Sequence, residues 1–404
     1  MSDNRKFQKF NSIFEIYPDT NFKGAVVGYY NSEGTRLKFP CTLDVSNAKR
    51  DKKRRWTASR LGLSPVVAKD ASDFLFEHER EAWIGNGFFR KQKKVFPNDY
   101  LATIRFVDDV TRIEESAFRK CTGLTEVTVP SSVTEIGEYA FYGCIDLTTI
   151  SLPDCITKIT PRMFEGCENL EEIIVSKTNP LYTSKNGVLF SKDTKTLITC
   201  PEGKVGKYSI PKGVRIIGKE AFYNCSTLTE IKIPVGVVTI GFGAFEDCTK
   251  LKEITIPSGV KSIEDYAFAG CARLKTVTLP EGIEKIGDGT FDGCRRLTGI
   301  TIPESVTEIG WHAFRKCTAL TSITISEGVK SIKDSTFQNC RTLTSITIPE
   351  SVTEIEKRAF DNCTALTDIY INQIESTLLD NVNVPSGCTI HYFALEALES
   401  AIIK

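Results

Sequence analysis

Residues 124–146 read LTEVTVPSSVTEIGEYAFYGCID, and the same pattern returns every 23 residues along most of the chain. Ten phenylalanines mark the period, each followed three residues later by a cysteine: Phe118, Phe141, Phe164, Phe222, Phe245, Phe268, Phe291, Phe314, Phe337 and Phe360. Every step is 23 residues except the one from Phe164 to Phe222, which is 58, or 23 plus 35. A fixed period of this size indicates a repeat architecture.

One unit contains two short extended pieces and a turn. Val127 to Val129 alternate between inward and outward positions and are β-branched, which predicts a strand. Pro130 ends that strand because it has no N–H to give to a ladder. Val133 to Ile136 form a second extended piece. The three-residue spacing of Phe141 and Cys144 predicts that both side chains lie on one side of a helical turn.

A unit of this length has no core of its own, because its apolar residues point into a coil with two open ends. Stacking the coils about 4.8 Å apart pairs each strand with the next and closes those ends. The sequence therefore predicts a solenoid with short parallel strands. Its units begin at Leu101, Leu124, Leu147, Leu170, Val205, Leu228, Leu251, Leu274, Leu297, Leu320, Leu343 and Leu366.

The repeats are predicted to occupy residues 101–385, with an insertion near residues 177–204. In this insertion two alternating runs, Gly187 to Phe190 and Thr196 to Thr199, flank a polar turn and predict a β-hairpin. Residues 386–404 are predicted to cap the last coil with a strand and an amphipathic helix.

Residues 1–100 have no repeat and differ in charge from the rest. They hold 19 basic and 12 acidic residues, which leaves 32 basic and 39 acidic residues for positions 101–404. We expect a small α+β or mostly β N-terminal domain, with strands at Phe14 to Tyr17 and Ala25 to Tyr30 and a helix over Ala71 to Trp83. The negative balance of the repeats does not favour nucleic-acid binding there.

The units resemble the BspA-like leucine-rich repeats of bacterial surface proteins. The proline after the strand, the Ala-Phe pair, the cysteine, the NPLYTSKNGVLFSKDTKTLITCPEG insertion and the terminal VPSGCTIHYFALEALESAI all match that family. The resemblance implies a leucine-rich-repeat solenoid, adhesion to host or microbial molecules, and a secreted or cell-surface location. The start MSDNRKFQ shows no export signal, so the chain as written is expected to be cytoplasmic. No apolar run is long enough to span a membrane.

The outward face of the predicted strands, called the strand face below, is the expected binding surface for a protein or glycan. Its middle coils present mainly threonine, from Thr255 to Thr347, which can be purely structural. Charged and aromatic residues on the same face are better candidates for partner contacts. These are Glu126, Glu172, Glu230, Lys232, Glu253, Asp368 and Tyr370.

A second candidate is a basic run in the N-terminal region. It is predicted either to bind a polyanion or to be a solvated loop, and its cations are Lys49, Arg50, Lys52, Lys53, Arg54 and Arg55. Catalytic, metal and cofactor sites are not expected. The thiols recur along an axis instead of converging on one point, and the three histidines, His78, His312 and His391, lie on separate parts of the chain.

These features predict a non-catalytic binding protein, and they leave two alternative functions open. One is an intracellular interaction scaffold that uses the same surface. The other is a targeting arm for an effector in residues 1–100. The ligand and the oligomeric state are left open by the sequence.

The cysteine ladder predicts free thiols, because a buried cysteine beside phenylalanine packs as a small hydrophobe. Thiol titration in denaturant under non-reducing conditions should find most of the 14 cysteines free. About five or more disulfides would contradict the packing interpretation.

Overall fold

The computed structural model describes residues 112–113, 115–373 and 377–392 with their side chains, together with the backbone of seven strands before residue 107. The chain divides into two compact units, Met1–Gly187 and Val188–Lys404. Short parallel strands with the period of the sequence build both units, which confirms the predicted solenoid.

The N-terminal region of the first unit contributes strands. They are β1 (Phe14–Asp19), β2 (Phe22–Tyr30), β3 (Arg36–Leu43), β4 (Trp56–Thr57), β5 (Val67–Ala68) and β6 (Glu81–Ile84). Antiparallel pairing joins β1 to β2, β2 to β3, and β4 to β5. The strands predicted at residues 14–17 and 25–30 are confirmed as parts of β1 and β2.

The helix predicted over residues 71–83 is wrong at its C-terminal end, where β6 begins at Glu81. This strand pairs in parallel with Thr103–Phe106, the first strand of the repeats, and also with β1. The exposed edge of a sheet presents unpaired N–H and C=O groups, so a strand is the conformation that satisfies them. Residues 71–80 lie outside the described residues.

Each unit has its own strand face of parallel strands, and the strands described number twelve in all, as predicted. In the first unit they are β7 (Thr103–Phe106), β9 (Glu126–Thr128), β11 (Thr149–Leu152) and β12 (Glu172–Val175). In the second unit they are β16 (Gly206–Ser209), β18 (Leu228–Lys232), β20 (Glu253–Thr255), β22 (Thr276–Thr278), β24 (Gly299–Thr301), β26 (Ser322–Thr324), β28 (Ser345–Ile348) and β30 (Asp368–Ile371). Partners such as Ile254 and Val277 lie 23 residues apart.

Two-residue strands form a second row within each coil. They are β8 (Arg112–Ile113), β10 (Glu135–Ile136), β17 (Ile216–Ile217), β19 (Thr239–Ile240), β21 (Ser262–Ile263), β23 (Lys285–Ile286), β25 (Glu308–Ile309), β27 (Ser331–Ile332) and β29 (Glu354–Ile355). In each of these strands the second residue is an isoleucine whose side chain is buried, and the first residue faces outward. This row is the second extended piece that the sequence predicts.

The Phe–Cys segments form the remaining side of each coil, called the turn side below. Phe141 and Cys144 are both buried, as their spacing predicts, but the segment forms separate turns where a helical turn was predicted. Bonds from Ala140 N to Gly137 O and from Cys144 N to Phe141 O close successive turns, and left-handed backbone at Tyr139 prevents a helix from propagating. Within the residues described with side chains, the one helical segment is the 3-10 turn Pro161–Phe164.

The core of the second unit contains a continuous stack of seven phenylalanine rings, from Phe222 to Phe360. Neighbouring ring centroids lie 5.1 to 5.8 Å apart, at interplanar angles of 4° to 17°. Such separations lie in the favourable range for parallel aromatic pairs. The first unit has a shorter stack of Phe118, Phe141 and Phe164.

Eight of the ten ladder thiols also donate a hydrogen bond to the phenylalanine carbonyl of the coil before them. Cys271 Sγ lies 3.2 Å from Phe245 O, and Cys294 Sγ lies 3.3 Å from Phe268 O. The same contact recurs at Cys144, Cys167, Cys248, Cys317, Cys340 and Cys363. The cysteine therefore fills the core and also satisfies a buried carbonyl between coils.

The insertion begins at Asn179, which is fully buried in the first unit. Its side-chain amide donates to Pro153 O and Ile156 O, and its Oδ1 accepts from the N–H groups of Leu181 and Tyr182. Strand β13 (Tyr182–Lys185) follows in the same unit. All four hydrogen-bonding positions of the amide are used, so the start of the insertion is held against the coil before it.

The predicted hairpin is present in the second unit. Strand β14 (Val188–Ser191) pairs antiparallel with β15 (Thr196–Thr199). Strand β15 then pairs in parallel with β17, so the hairpin replaces part of a coil. Phe190 is fully buried and belongs to the core of this unit.

The C-terminal strand is β31 (Thr389–Tyr392), which pairs in parallel with β30. The strand part of the predicted cap is therefore present. The amphipathic helix predicted after it falls on residues 393–404, which lie outside the described residues.

The ring stack predicts that truncating one middle ring costs far more than truncating a strand-face residue of the next coil. Phe268→Ala should lower the free energy of unfolding by about 3–5 kcal/mol, because the cavity also removes both ring contacts. The control Thr278→Ala is exposed and should stay within about 0.5 kcal/mol of the wild type. Urea unfolding followed by circular dichroism measures both, and equal losses in the two variants would contradict the assigned role of the stack.

Candidate functional site

The strand face carries its outward side chains in two straight rows. In the second unit one row runs through Lys232, Thr255 and Thr278, which are partners in neighbouring strands. A later stretch of the same row runs through Thr301, Thr324, Thr347 and Tyr370. The rows read from the sequence are therefore present, and threonine is exposed at the middle positions.

In the first unit, Glu126 and Glu172 lie on either side of Thr149 in the register of β9, β11 and β12. Both glutamates are exposed. A polar residue between them keeps the two carboxylates two strand spacings apart, or about 10 Å, which weakens their repulsion. The pair gives this part of the strand face a negative surface.

In the second unit, Glu230 lies between two lysines. Its carboxylate is 2.5 Å from Lys207 Nζ and 3.6 Å from Lys232 Nζ. The hydrogen bond from Lys207 lowers the pKa of Glu230 and raises the pKa of Lys207. Exposed Glu253 lies beside Glu230 on the next strand. These residues form a mixed-charge cluster at the start of this part of the strand face.

The last two strands bring Asp368, Tyr370 and His391 together, and we call this group the terminal cluster. His391 Nε2 is 2.8 Å from Asp368 Oδ1, and its ring stacks on Tyr370 with centroids 4.6 Å apart. Hydrogen bonds from His391 and Thr367 lower the pKa of the Asp368 carboxyl. The contacts hold a partly exposed aromatic pair beside a carboxylate on the strand face.

Two members of these clusters were missed by the sequence analysis. The pairing of β16 with β18 shifts by one residue between Gly206 and Lys207. A count of outward positions by the repeat period therefore misses Lys207. His391 reaches Tyr370 because β31 pairs with β30 at a spacing of 21 residues, where the repeat would give 23. Counting outward positions back from Ser209 would have found Lys207. The repeat period of 23 residues, in contrast, does not predict the 21-residue register of the last strand.

The turn side carries a separate feature at Trp311, whose side chain is 52% exposed. Together with His312, Asp334, Glu356, Lys357 and Arg358 it lines a shallow groove of about 500 Å³. Arg358 holds Asp334 by two hydrogen-bonded contacts of 2.8 and 3.1 Å. Burial and the nearby Arg315 lower the pKa of His312. An exposed tryptophan beside an arginine is a composition enriched in protein contact sites.

The six cations of the basic run, between residues 49 and 55, lie outside the described residues. The run is followed by β4, which pairs antiparallel with β5. Polyanion binding by Lys49, Arg50, Lys52, Lys53, Arg54 and Arg55 therefore stays a prediction.

Most ladder thiols are held in the protonated form, which is a poor nucleophile and a poor metal ligand. Burial raises the pKa of Cys248, Cys294, Cys317 and Cys340 well above the ordinary thiol value, and raises that of Cys363 to about 12. A thiolate, the reactive form, is therefore strongly disfavoured. Among the described side chains, no three His, Cys, Asp or Glu residues meet in a way that could hold a metal ion.

No helix within the described part of the chain combines the length and the apolar character that a membrane crossing needs.

Comparison with protein families finds the BspA type leucine rich repeat region, in matches to residues 92–205, 201–320 and 284–396. These matches overlap and together extend from the last residues before the first repeat to the terminal strand. No curated protein matches the chain.

Two solved structures show the same fold. A leucine-rich repeat protein from Eubacterium ventriosum is 29% identical with a TM-score of 0.55, covering 66% of this chain and 83% of that one. The pneumococcal vaccine antigen PcpA is 22% identical with a TM-score of 0.56, covering 78% of this chain and 79% of that one. The first of these adds a sequence likeness to the shared architecture.

The raised thiol pKa values predict a loss of stability at alkaline pH. Above the unfolded thiol pKa of about 8.5 the unfolded chain releases protons that the folded chain keeps, so unfolding is favoured. Each ladder thiol whose pKa is raised, such as Cys271 and Cys294, should then lower the free energy of unfolding by about 1.4 kcal/mol per pH unit. Urea unfolding measured from about pH 9 to about pH 11 tests this slope.

The matched control is a double variant, Cys271→Ala with Cys294→Ala. Two titrating thiols fewer should make the alkaline decline shallower by about 3 kcal/mol per pH unit. Parallel curves for this variant and the wild type would show that other groups cause the decline.

Proposed function

This chain belongs to the BspA-type leucine-rich-repeat family, and from that premise we propose that it is a non-catalytic protein that binds a protein or glycan partner on its strand face. The setting we propose is adhesion to host or microbial surface molecules. The observation that carries the proposal is the terminal cluster, where Tyr370 and His391 stack in the outward row beside Asp368.

Inward residues pack the coils together while outward residues are available for partner contacts, and this difference supports a binding function. Inward positions are occupied by phenylalanine, leucine, isoleucine and protonated cysteine, and these hold the coils together. Outward positions on the strand face accept any residue that tolerates a strand, so they are free to specify a partner. Threonine fills the middle of the row, and the unusual residues are concentrated at its two ends in the second unit.

The terminal cluster has the properties of a contact anchor. Tyrosine is enriched among residues that dominate binding energy, because it buries a large rigid surface at a low cost in conformational entropy. The stack with His391 and the 2.8 Å contact of His391 with Asp368 hold the aromatic pair in place before a partner arrives. Glu230, Lys232 and Glu253 supply charges on the strand face of the same unit, and Glu126 and Glu172 supply charges on that of the first unit. We propose that these charges set the orientation of the partner.

The proposal predicts that removing the terminal aromatic pair weakens partner capture. The full chain is immobilised and exposed to extracts of host-cell and microbial surface proteins, at low and at physiological salt. Tyr370→Ala combined with His391→Ala should weaken the captured interaction by about thirtyfold, which corresponds to the loss of one contact of hot-spot size. Charge contributions from the glutamates should make capture weaker at the higher salt concentration.

Trp311→Ala is the matched control, because it removes an equally exposed aromatic side chain from the turn side. Capture by this variant should equal that of the wild type. Loss of capture in Trp311→Ala with full capture in the terminal-cluster variant would move the binding surface to the groove. Absence of any captured partner at either salt concentration would contradict the binding function itself.

A further inference from the structure

Six exposed cations lie on three consecutive coils of the second unit, at the corner where the turn side meets the strand face. We call this group the corner patch, and its members are Lys250, Lys252, Arg273, Lys275, Arg295 and Arg296. All six lie between the buried cysteine and the strand of their coil, and Lys250, Arg273 and Arg296 occupy equivalent positions two residues after the cysteine. Leu251 and Leu274 are buried between the two cations of their coils, and Leu297 is buried directly after Arg296, so the charged side chains face outward.

Backbone hydrogen bonds hold the three coils side by side at this corner. Lys275 N lies 2.9 Å from Lys252 O, and Thr298 N lies 3.3 Å from Lys275 O. On the turn side of the same coils, Gly270 N lies 2.7 Å from Asp292 O. The cations are therefore fixed along a line with a spacing of about 4.8 Å per coil.

The corner patch lacks the ion pairs that several other cations of this unit form. Arg315, Arg358 and Lys285 each form a salt bridge to a carboxylate of a neighbouring coil. Within the part of the chain whose side chains the structure describes, none of the six corner-patch cations forms one. Unpaired charges of one sign on a rigid row create a local positive potential.

The segments that carry the corner patch contain more cations than acidic residues. The three corner segments read CTKLKEITI (248–256), CARLKTVTL (271–279) and CRRLTGITI (294–302). Glu253 is the one acidic residue within them, and Glu246, Asp247 and Asp292 lie within two residues before them. The six cations therefore outnumber these carboxylates. This local excess stands within a stretch, residues 101–404, that is negative as a whole.

We propose that the corner patch binds a linear sulfated glycan. A straight row of cations matches a linear polyanion, and arginine binds oxyanions through two parallel N–H···O bonds. A single-stranded nucleic acid is a poorer fit, because the three segments contain no aromatic side chain on which a base could stack. The corner patch is a different surface from the terminal cluster, so this inference goes beyond the proposed function and does not depend on it.

The test compares variants of the full chain on immobilised heparin, with elution by increasing salt. The corner variant replaces Lys252, Arg273, Lys275 and Arg296 with serine. The wild type should be retained at physiological salt, and the corner variant should bind at least tenfold more weakly. The slope of log affinity against log salt should fall by roughly three to four, about one for each lost contact.

Two further variants separate the corner patch from net charge. A dispersed control replaces Lys185, Lys212, Lys261 and Lys330, which are exposed elsewhere, with serine, and should elute as the wild type does. A second variant replaces Lys52, Lys53, Arg54 and Arg55 with serine, and should keep most of the retention. If the dispersed control or the N-terminal variant loses as much affinity as the corner variant, the assignment to the corner patch is overturned.

A charge-conserving variant and a second polyanion test the recognition chemistry. Arg273→Lys with Arg296→Lys keeps the charge but loses paired N–H donors, so its affinity should lie between those of the wild type and the corner variant. Oligothymidylate should compete less well than heparin for the wild type at matched charge. Stronger competition by the oligonucleotide would replace the glycan with a nucleic acid as the partner and would overturn the proposal.

Discussion

Stacking of one coil on the next is the interaction on which the rest of the structure depends. A single coil leaves both faces of its phenylalanine ring, its strand N–H groups and its carbonyls without partners. The neighbouring coil satisfies all of these together, through the ring stack, the strand ladder and the thiol bond to the phenylalanine carbonyl. Because the three contacts share one repeat distance, a residue that suits the core in one coil suits it in every coil. This common fit explains why phenylalanine and cysteine recur at fixed positions while the outward residues vary.

The same constraint separates structure from recognition. Inward residues cannot change without affecting two neighbours, so they carry little information about a partner. Outward residues meet no such limit, and the chain concentrates its exceptions there: the Glu230 cluster and the terminal cluster on the strand face, and the corner patch beside it. The solenoid thus supplies rigid spacing, and a small number of outward positions supply chemistry. Rigid presentation lowers the entropy that a partner must give up on binding.

Much of the fold followed from particular residues. The ten phenylalanines set the period, Pro130 and its equivalents marked the strand ends, and the polar turn after Phe190 marked the hairpin.

The errors arose where a neighbouring element decides the conformation. Residues 81–83 lie in an apolar pattern that suits a helix, yet the open edge of β7 selects a strand. Tyr139 takes a left-handed conformation, so the expected helical turn is broken into separate turns. The partnership of His391 with Tyr370 depends on the register of the last strand, which deviates from the repeat. The corner patch was visible as CARLK and CRRL, but it lies just before the two outward rows on which the sequence interpretation concentrated.

The equivalence of the coils has a consequence at the level of the gene. A duplication or loss of one whole unit, 23 codons long, preserves every contact between coils, because each coil offers its neighbours the same surfaces. Such an event between residue 302 and residue 366 would leave the corner patch and the terminal cluster intact. It would change only the distance between them, by one strand spacing of about 4.8 Å. The number of repeats therefore sets the distance between the two surfaces in fixed steps. This distance can evolve separately from the residues of the surfaces themselves.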